Sequence, residues 1–287
     1  MRLISQKTDL AVLKPFRLKG RQYEEGYLVR WLASIPPVWI FVLVLFWPAL
    51  ALANSGLAMH EAFTALWRWM PFLVTQGFFF NVLISLLAML IGTALGVILG
   101  LAQISRSGQI RWVAWFLTQL FRNSPWLVLL FIVLLAVPFQ IDLFGYTIRI
   151  PAWMKAVFGL SLPIMANISE IVRGAVVSVP SGQWEASESL GFTRRQTLYD
   201  IILPQCFKRM IPPWMNWYAI LTMATPLCSL LGVEEIITLS RQAMSAENNQ
   251  PELLVPFYGF ALVLFFIYCY PIARFTIWLE RRVSVKL

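Results

Sequence analysis

The residues able to do chemistry are a few polar groups set in or beside long apolar runs. Glu170 and Arg173 lie three positions apart near the end of one run, with Asn167 and Ser169 just before them. That spacing puts the carboxylate and the guanidinium on one helix face, where they can pair. Polar groups are costly inside a bilayer, so the expected roles are a structural or gating pair or direct contact with a polar solute. Asn216 and Thr222 to Thr225 sit in a later run and either line a path or bond across helices. None of these residues makes a catalytic set. His60 is the sole histidine, and there is no HExxH, GxSxG or GxxxxGK[ST] sequence. Cys206, Cys228 and Cys269 form no CxxC pair, so they are read as small apolar filler rather than disulfides or a metal site. The chain is expected to be no enzyme and to carry no cofactor or metal.

A second group of signals lies between two apolar runs, from Ser181 to Pro204. Pro180-Ser181-Gly182 is a turn that stops the preceding run. Gln183 to Leu190 is predicted helical, with Trp184, Ser187 and Leu190 on one side. Gly191 permits the left-handed backbone that ends a helix. Thr193 is the expected N-cap of a second helix, with Gln196 in the capping-box position, and that helix is expected to end at Pro204. Two short helices with a glycine elbow suit docking in a partner's groove; an ordinary surface helix pair has the same local signals.

The elements that position these groups are membrane spans. Hydrophobic residues make up 59% of the chain and charged ones 13%, too apolar for one soluble core and arranged in long runs. We expect an all-α bundle of about six spans of roughly 20 residues each. They are placed near Trp31–Ala53, Pro71–Ala102, Ser124–Pro138 extended by Trp112–Phe121, Ala152–Val172, Ile211–Leu231 and Val255–Leu279. Ala51-Leu52-Ala53 resembles a signal-peptide cleavage site, but the basic tail before the run is long, and a retained helix is the reading adopted. The net charge of +9 gathers in the tail and in alternate loops, including Arg106, Arg111, Arg122 and the stretch Arg173–Arg209. The positive-inside rule puts those loops and both termini in the cytoplasm, and a nucleic-acid partner is not expected. Glu61, Asp142, Glu234, Glu235, Glu247 and Glu252 fall on the far side, so no acidic residue is expected mid-span. Trp67, Trp69, Trp112, Trp115, Trp214 and Trp217 are read as interface anchors.

Glu185-Ala186-Ser187, Gly191, Ile201 and Leu203-Pro204, at these offsets, resemble the EAA loop of ABC importer permeases, with Ser187 where Ala is usual. Arg122-Asn123-Ser124-Pro125, Glu170-Ile171-Val172-Arg173-Gly174 and Pro180 to Ala186 are similar to stretches of the polar amino acid (histidine/glutamine-type) permeases. The likeness covers roughly Pro71 to Leu279. It implies a type I ABC importer permease fold: a cytoplasmic tail over 1–30, an extra helix and extracytoplasmic loop over 31–70, the transmembrane domain over 71–279 with the EAA loop at 178–206, and a short tail over 280–287.

The resemblance also implies a role and partners. The chain would be the permease of an inner-membrane importer for an amino acid or related small polar solute. Its partners would be a second permease, a pair of ATPase subunits that bind ATP and Mg, an extracytoplasmic solute-binding protein and the lipid bilayer. Glu185, Ala186, Ser187, Gly191, Arg194, Arg195 and Pro204 would form the ATPase-coupling unit. Asn167, Glu170, Arg173, Asn216, Thr222, Met223 and Thr225 would line or gate the path. The sequence departs from the family at Met223-Ala224-Thr225-Pro226, where Lys-Asp-Thr-Ser is common. The rival reading is an ion-coupled secondary transporter, which would bind its ion through carboxylates or broken helices near the midplane.

Overall fold

The computed structural model describes residues 56–143 and 146–283. In chain order, α1 (Gly56–Phe72) passes through a π-helical turn (Leu73–Phe78) into α2 (Phe79–Gln103). Next come α3 (Gly108–Arg122), α4 (Trp126–Ala136), a hairpin of β1 (Gln140–Leu143) and β2 (Tyr146–Arg149), and α5 (Ala152–Val177). The loop helices α6 (Ser181–Ser189) and α7 (Arg194–Gln196) precede a π-helical segment (Thr197–Ile202) and α8 (Leu203–Ala224). A 3-10 helix (Thr225–Leu231), α9 (Ile236–Ala246), a 3-10 turn (Pro251–Leu253) and α10 (Leu254–Val283) complete the described chain.

Three helices are long and apolar enough to cross a membrane: Met59–Gln103, Ala152–Val177 and Pro251–Arg282. Two bent pairs bring the number to five if each pair is one span. The expected first span and the basic tail before it lie outside the described residues.

The core of the bundle is the seam between α2 and α5. Gly92, Gly96 and Gly100 recur every four residues, so they stack on one face of α2. A Cβ at these positions would lie 2.6 Å from Ile164, 2.7 Å from Ile168 and 2.7 Å from Val172. Such small residues let two backbones approach closely, which supplies dispersion contact where lipid offers no hydrophobic drive. Ile84, Ala88, Leu130, Leu160 and Leu221 close the same core from α2, α4, α5 and α8.

Several expectations are corrected. The stretch 56–70, expected as a loop, is helical, and it runs through Pro71 into α2 without a break. Ala62, Leu66 and Leu73 bury against Leu239, Met244 and Phe257 of α9 and α10, so tertiary packing holds this helix beyond the apolar run. Trp112–Phe121 does not extend the third span. It belongs to α3, which meets α4 at 105°. Pro125 removes a backbone donor and forces Ser124 out of the helical region, so the chain must turn there. Among the described residues, the helical bundle also carries one short hairpin. The 140–149 hairpin pairs Ile141 with Ile148 and Leu143 with Tyr146. Pro226 lies in the first turn of the 3-10 helix, and a 52° bend falls beyond Leu231, next to Gly232 with its φ of +75°.

Candidate functional site

The loop helices carry the geometry expected of an elbow. Gly191 has φ +79°, and an added Cβ there would touch nothing, so the glycine is required by the backbone alone. The Phe192 N–H donates to the Ser187 carbonyl at 3.1 Å and the Gly191 N–H to the Glu188 carbonyl at 3.0 Å. These are the two bonds of a Schellman motif, which satisfies the last carbonyls of α6. On the other side of the elbow Thr193 and Gln196 form a complete capping box. Both helices are thereby closed at the bend, which fixes their relative direction.

The unit has an inner and an outer face. Ser187 is buried and its hydroxyl donates to the Gln183 carbonyl at 2.7 Å. Glu185, Ala186, Arg194, Arg195 and Pro204 are exposed. Trp184 is half-buried beneath the Arg194 guanidinium, 5.0 Å from its ring centre, whereas Leu190, expected on the same side, is exposed. The loop sits on an apolar base of Ala175, Val176, Val179, Ile202 and Cys206.

The second helix does not end at Pro204. Helical backbone continues through the π-helical segment into α8, with Pro204 in its first turn. A π turn widens the helix, which relieves the clash between the proline ring and the carbonyl four residues back. Consequently α7 and the fifth span are one helical rod, and a push on the elbow acts directly on the span.

At the end of α5 nearest the loop, the Arg173 guanidinium meets Glu170 at 2.7 Å, and Arg122 from α3 approaches the same carboxylate at 3.9 Å. Just inside, Gln103 donates to the Thr118 and Ser169 hydroxyls at 3.0 and 3.1 Å, tying α2, α3 and α5 together. The sequence pointed to the Glu170–Arg173 pair and to Ser169 but not to Arg122, Gln103 or Thr118 as their partners.

The remaining path candidates separate into two groups. Asn216 and Met223 are exposed and seven residues apart, hence on one face of α8. Asn167, Thr222 and Thr225 are buried inside this subunit. Asn167 donates to the Pro163 carbonyl and Thr222 to the Tyr218 carbonyl, each on its own helix. Thr225 accepts from Asn81 of α2 at 2.9 Å, a bond across helices.

Two buried charges were not legible. Glu235, expected on the far side, is fully buried and caps α9. Its oxygens accept from the backbone N–H groups of Ile237 and Thr238, the Thr238 hydroxyl and the Asn81 amide. Lys155 is also buried and donates to the Leu134 and Val137 carbonyls at the end of α4, with its ammonium over the Phe139 ring. Asn81, set among apolar residues, was the signal available for the first. The tryptophans also differ from the anchor reading in part: Trp214 donates to Thr93, Trp217 stacks on Trp126, and Trp69 donates to Glu247.

Residues 92–285 match the family model described as binding-protein-dependent transport system inner membrane component, more than half of the chain. The chain belongs to that family. As a permease it is similar to the L-cystine transport system permease protein TcyB of Bacillus subtilis (strain 168), 31% identical over 212 residues, 74% of this chain and 87% of that one. The arginine transport system permease protein ArtQ of the same organism is 32% identical over 213 residues, covering 73% of this chain and 94% of its own length. Among solved structures, an amino acid ABC transporter with histidines superposes with a TM-score of 0.65 at 24% identity, over 77% of this chain and 98% of that chain. The MetNI methionine ABC transporter in an inward-facing form superposes with a TM-score of 0.58 at 18% identity, over 75% of this chain and 98% of that one. These two likenesses are of fold. The permease fold expected from the EAA-loop resemblance is therefore borne out, with five spans at most among the described residues. The similar proteins are transport permeases, not enzymes.

Proposed function

We propose that this permease carries an amino acid across the inner membrane as one of two such subunits in an ABC importer. Permeases about a third identical to it are named for L-cystine and arginine transport. In this reading a separate extracytoplasmic protein delivers the solute. A separate pair of ATPases binds ATP and Mg, and the basic loops and both termini face the cytoplasm. Asn216 and Met223 face the second permease or the path, and Glu170 with Arg122 and Arg173 forms a polar latch at its inner end.

The observation that carries the coupling reading is the closed elbow at Gly191. Glu185, Arg194 and Arg195 are exposed where a partner's groove can meet them, and the helix beyond the elbow runs unbroken into α8. A moving ATPase would therefore tilt the span rather than deform a loop.

The experiment is Gly191→Val in the assembled transporter, reconstituted with its binding protein. A β-branched residue at φ +79° costs about 1–2 kcal/mol in backbone strain and opens the elbow. ATP-driven uptake is expected to fall while basal ATPase activity persists. Uptake and stimulated ATPase both at the wild-type level would remove the coupling assignment. Uptake driven by an ion gradient without ATP would replace the importer reading with a secondary transporter.

A further inference from the structure

At the end of the bundle remote from the EAA loop there is a half-open cleft with a volume of about 430 Å³. It is bordered by Gln76 and Phe80 from the first long helix, Trp153 at the start of α5, and Glu234 in the turn before α9. That volume falls within the ordinary range for a small-molecule site. Its walls are aromatic: Phe72, Phe80 and Trp153 all border it, and the last two rings meet edge-on with centroids 6.2 Å apart.

Among the described residues, Glu234 is the one charged residue on this lining. It is exposed, and among the described residues it makes no ion pair and accepts no side-chain hydrogen bond. Lys155, two residues beyond Trp153 in α5, is held by two carbonyls at the end of α4. The turn that presents Glu234 is fixed on both sides. Before it, Gly232 adopts φ +75° and the Val233 N–H donates to the Cys228 carbonyl. After it, the buried Glu235 caps α9 and holds Asn81. The fixed turn sets where the backbone presents the unpaired carboxylate beside the cleft.

We infer that this cleft is a recognition site for the cationic group of a small solute, an ammonium or a guanidinium, with Glu234 as its counter-ion and the Phe80 and Trp153 rings as its walls. A carboxylate attracts such a group and accepts its hydrogen bonds, and aromatic faces attract cations through their quadrupole. Gln76 supplies a neutral amide that bonds either a donor or an acceptor on the rest of the solute. An anionic side chain would meet repulsion from Glu234, and a neutral one would gain no charge-assisted bond. The inference rests on the importer reading and assigns the cleft to a positive group other than the α-ammonium that every amino acid carries.

The test uses L-arginine and its neutral isostere L-citrulline, in which a urea replaces the guanidinium. The full transporter with its binding protein is reconstituted in vesicles, and ATP-driven uptake of each is followed. Wild type is expected to import arginine at least about tenfold faster than citrulline. Glu234→Gln should lower arginine uptake about tenfold and be largely rescued by Glu234→Asp, which keeps the charge. Arginine uptake unaffected by Glu234→Gln, or equally lost in Glu234→Asp, overturns the inference. So does ATP-driven uptake confined to neutral or acidic amino acids, which leaves the importer reading standing. No ATP-driven uptake of any amino acid overturns that reading itself.

Discussion

Asn81 and Glu235, 154 positions apart, share a hydrogen bond of 3.0 Å from the amide nitrogen to the carboxylate, and the Asn81 amide oxygen accepts the Ile236 N–H at 3.0 Å. One side chain of α2 thus satisfies both the cap and the first backbone donor of α9, while its nitrogen also bonds Thr225. Asn81→Leu removes all three contacts and keeps the branching of the side chain, with two methyl groups in place of the amide oxygen and nitrogen. It leaves a buried carboxylate and a buried N–H short of partners, at a cost of about 2–4 kcal/mol. The purified protein in nanodiscs should melt at a clearly lower temperature. A melting point equal to wild type would show that the triad is not needed for stability.

The glycine seam predicts a steric limit. A Cβ on Gly96 would lie 2.7 Å from the Ile168 Cβ and 2.8 Å from the Met165 carbonyl. Gly96→Ala should therefore force α2 and α5 apart and cost about 1–3 kcal/mol. Because the nearest contacts are with the Ile168 Cβ, which alanine keeps, and with the Met165 backbone, Ile168→Ala in the same chain should restore little of the lost stability. Full restoration would mean that the backbone contact is relaxed in solution.

Lys155 acts as a cap for a helix other than its own. Lys155→Met keeps the apolar stem but leaves the Leu134 and Val137 carbonyls without a charged donor. The last turn of α4 should lose about 1–3 kcal/mol of local protection. Amide exchange measured by mass spectrometry should quicken over the last turn of α4, with little change in α8. Equal rates in variant and wild type would exclude the cap.

Glu247 supplies a pH dependence. Its carboxylate accepts from the Trp69 indole at 2.8 Å and pairs with Arg68. The indole bond first, and the Arg68 charge after it, hold the Glu247 carboxyl below its ordinary value of 4.5, against the opposing effect of burial. A depressed folded-state value means that the ionised form is favoured by folding. This stabilisation is whole above pH 4.5 and is lost as pH falls through the lowered value. Melting temperature should drop on acidification from about pH 6 to about pH 3, and Glu247→Gln should flatten that slope. An unchanged slope would place the acid sensitivity elsewhere.

The local devices were legible because they depend on a few neighbouring residues. The Thr193–Gln196 capping box and the positive φ of Gly191 are set within a handful of positions, and they stand as the spacing implied. Pro204 illustrates the limit of that reasoning. A proline signals a stop when only its neighbours are weighed, but a widened turn before it lets the helix continue. Likewise Thr222 and Thr225 look like path residues in a one-dimensional reading, whereas burial against α2 and their own backbone gives them structural bonds.

The sequence by itself determined that this chain is built of membrane helices, roughly where most of the described ones lie, and where its loop helices bend at Gly191. Those properties follow from runs of apolar residues and from short-range backbone preferences, which are additive along the chain. Only the tertiary structure decided that Glu235 is internal, that Lys155 closes α4, that three glycines of α2 seat α5, and that Glu234 stands alone in an aromatic cleft. Each of these is a meeting of groups far apart in sequence. The cost of burying a charge depends on the partner that arrives across the fold, and no local pattern carries that partner's address.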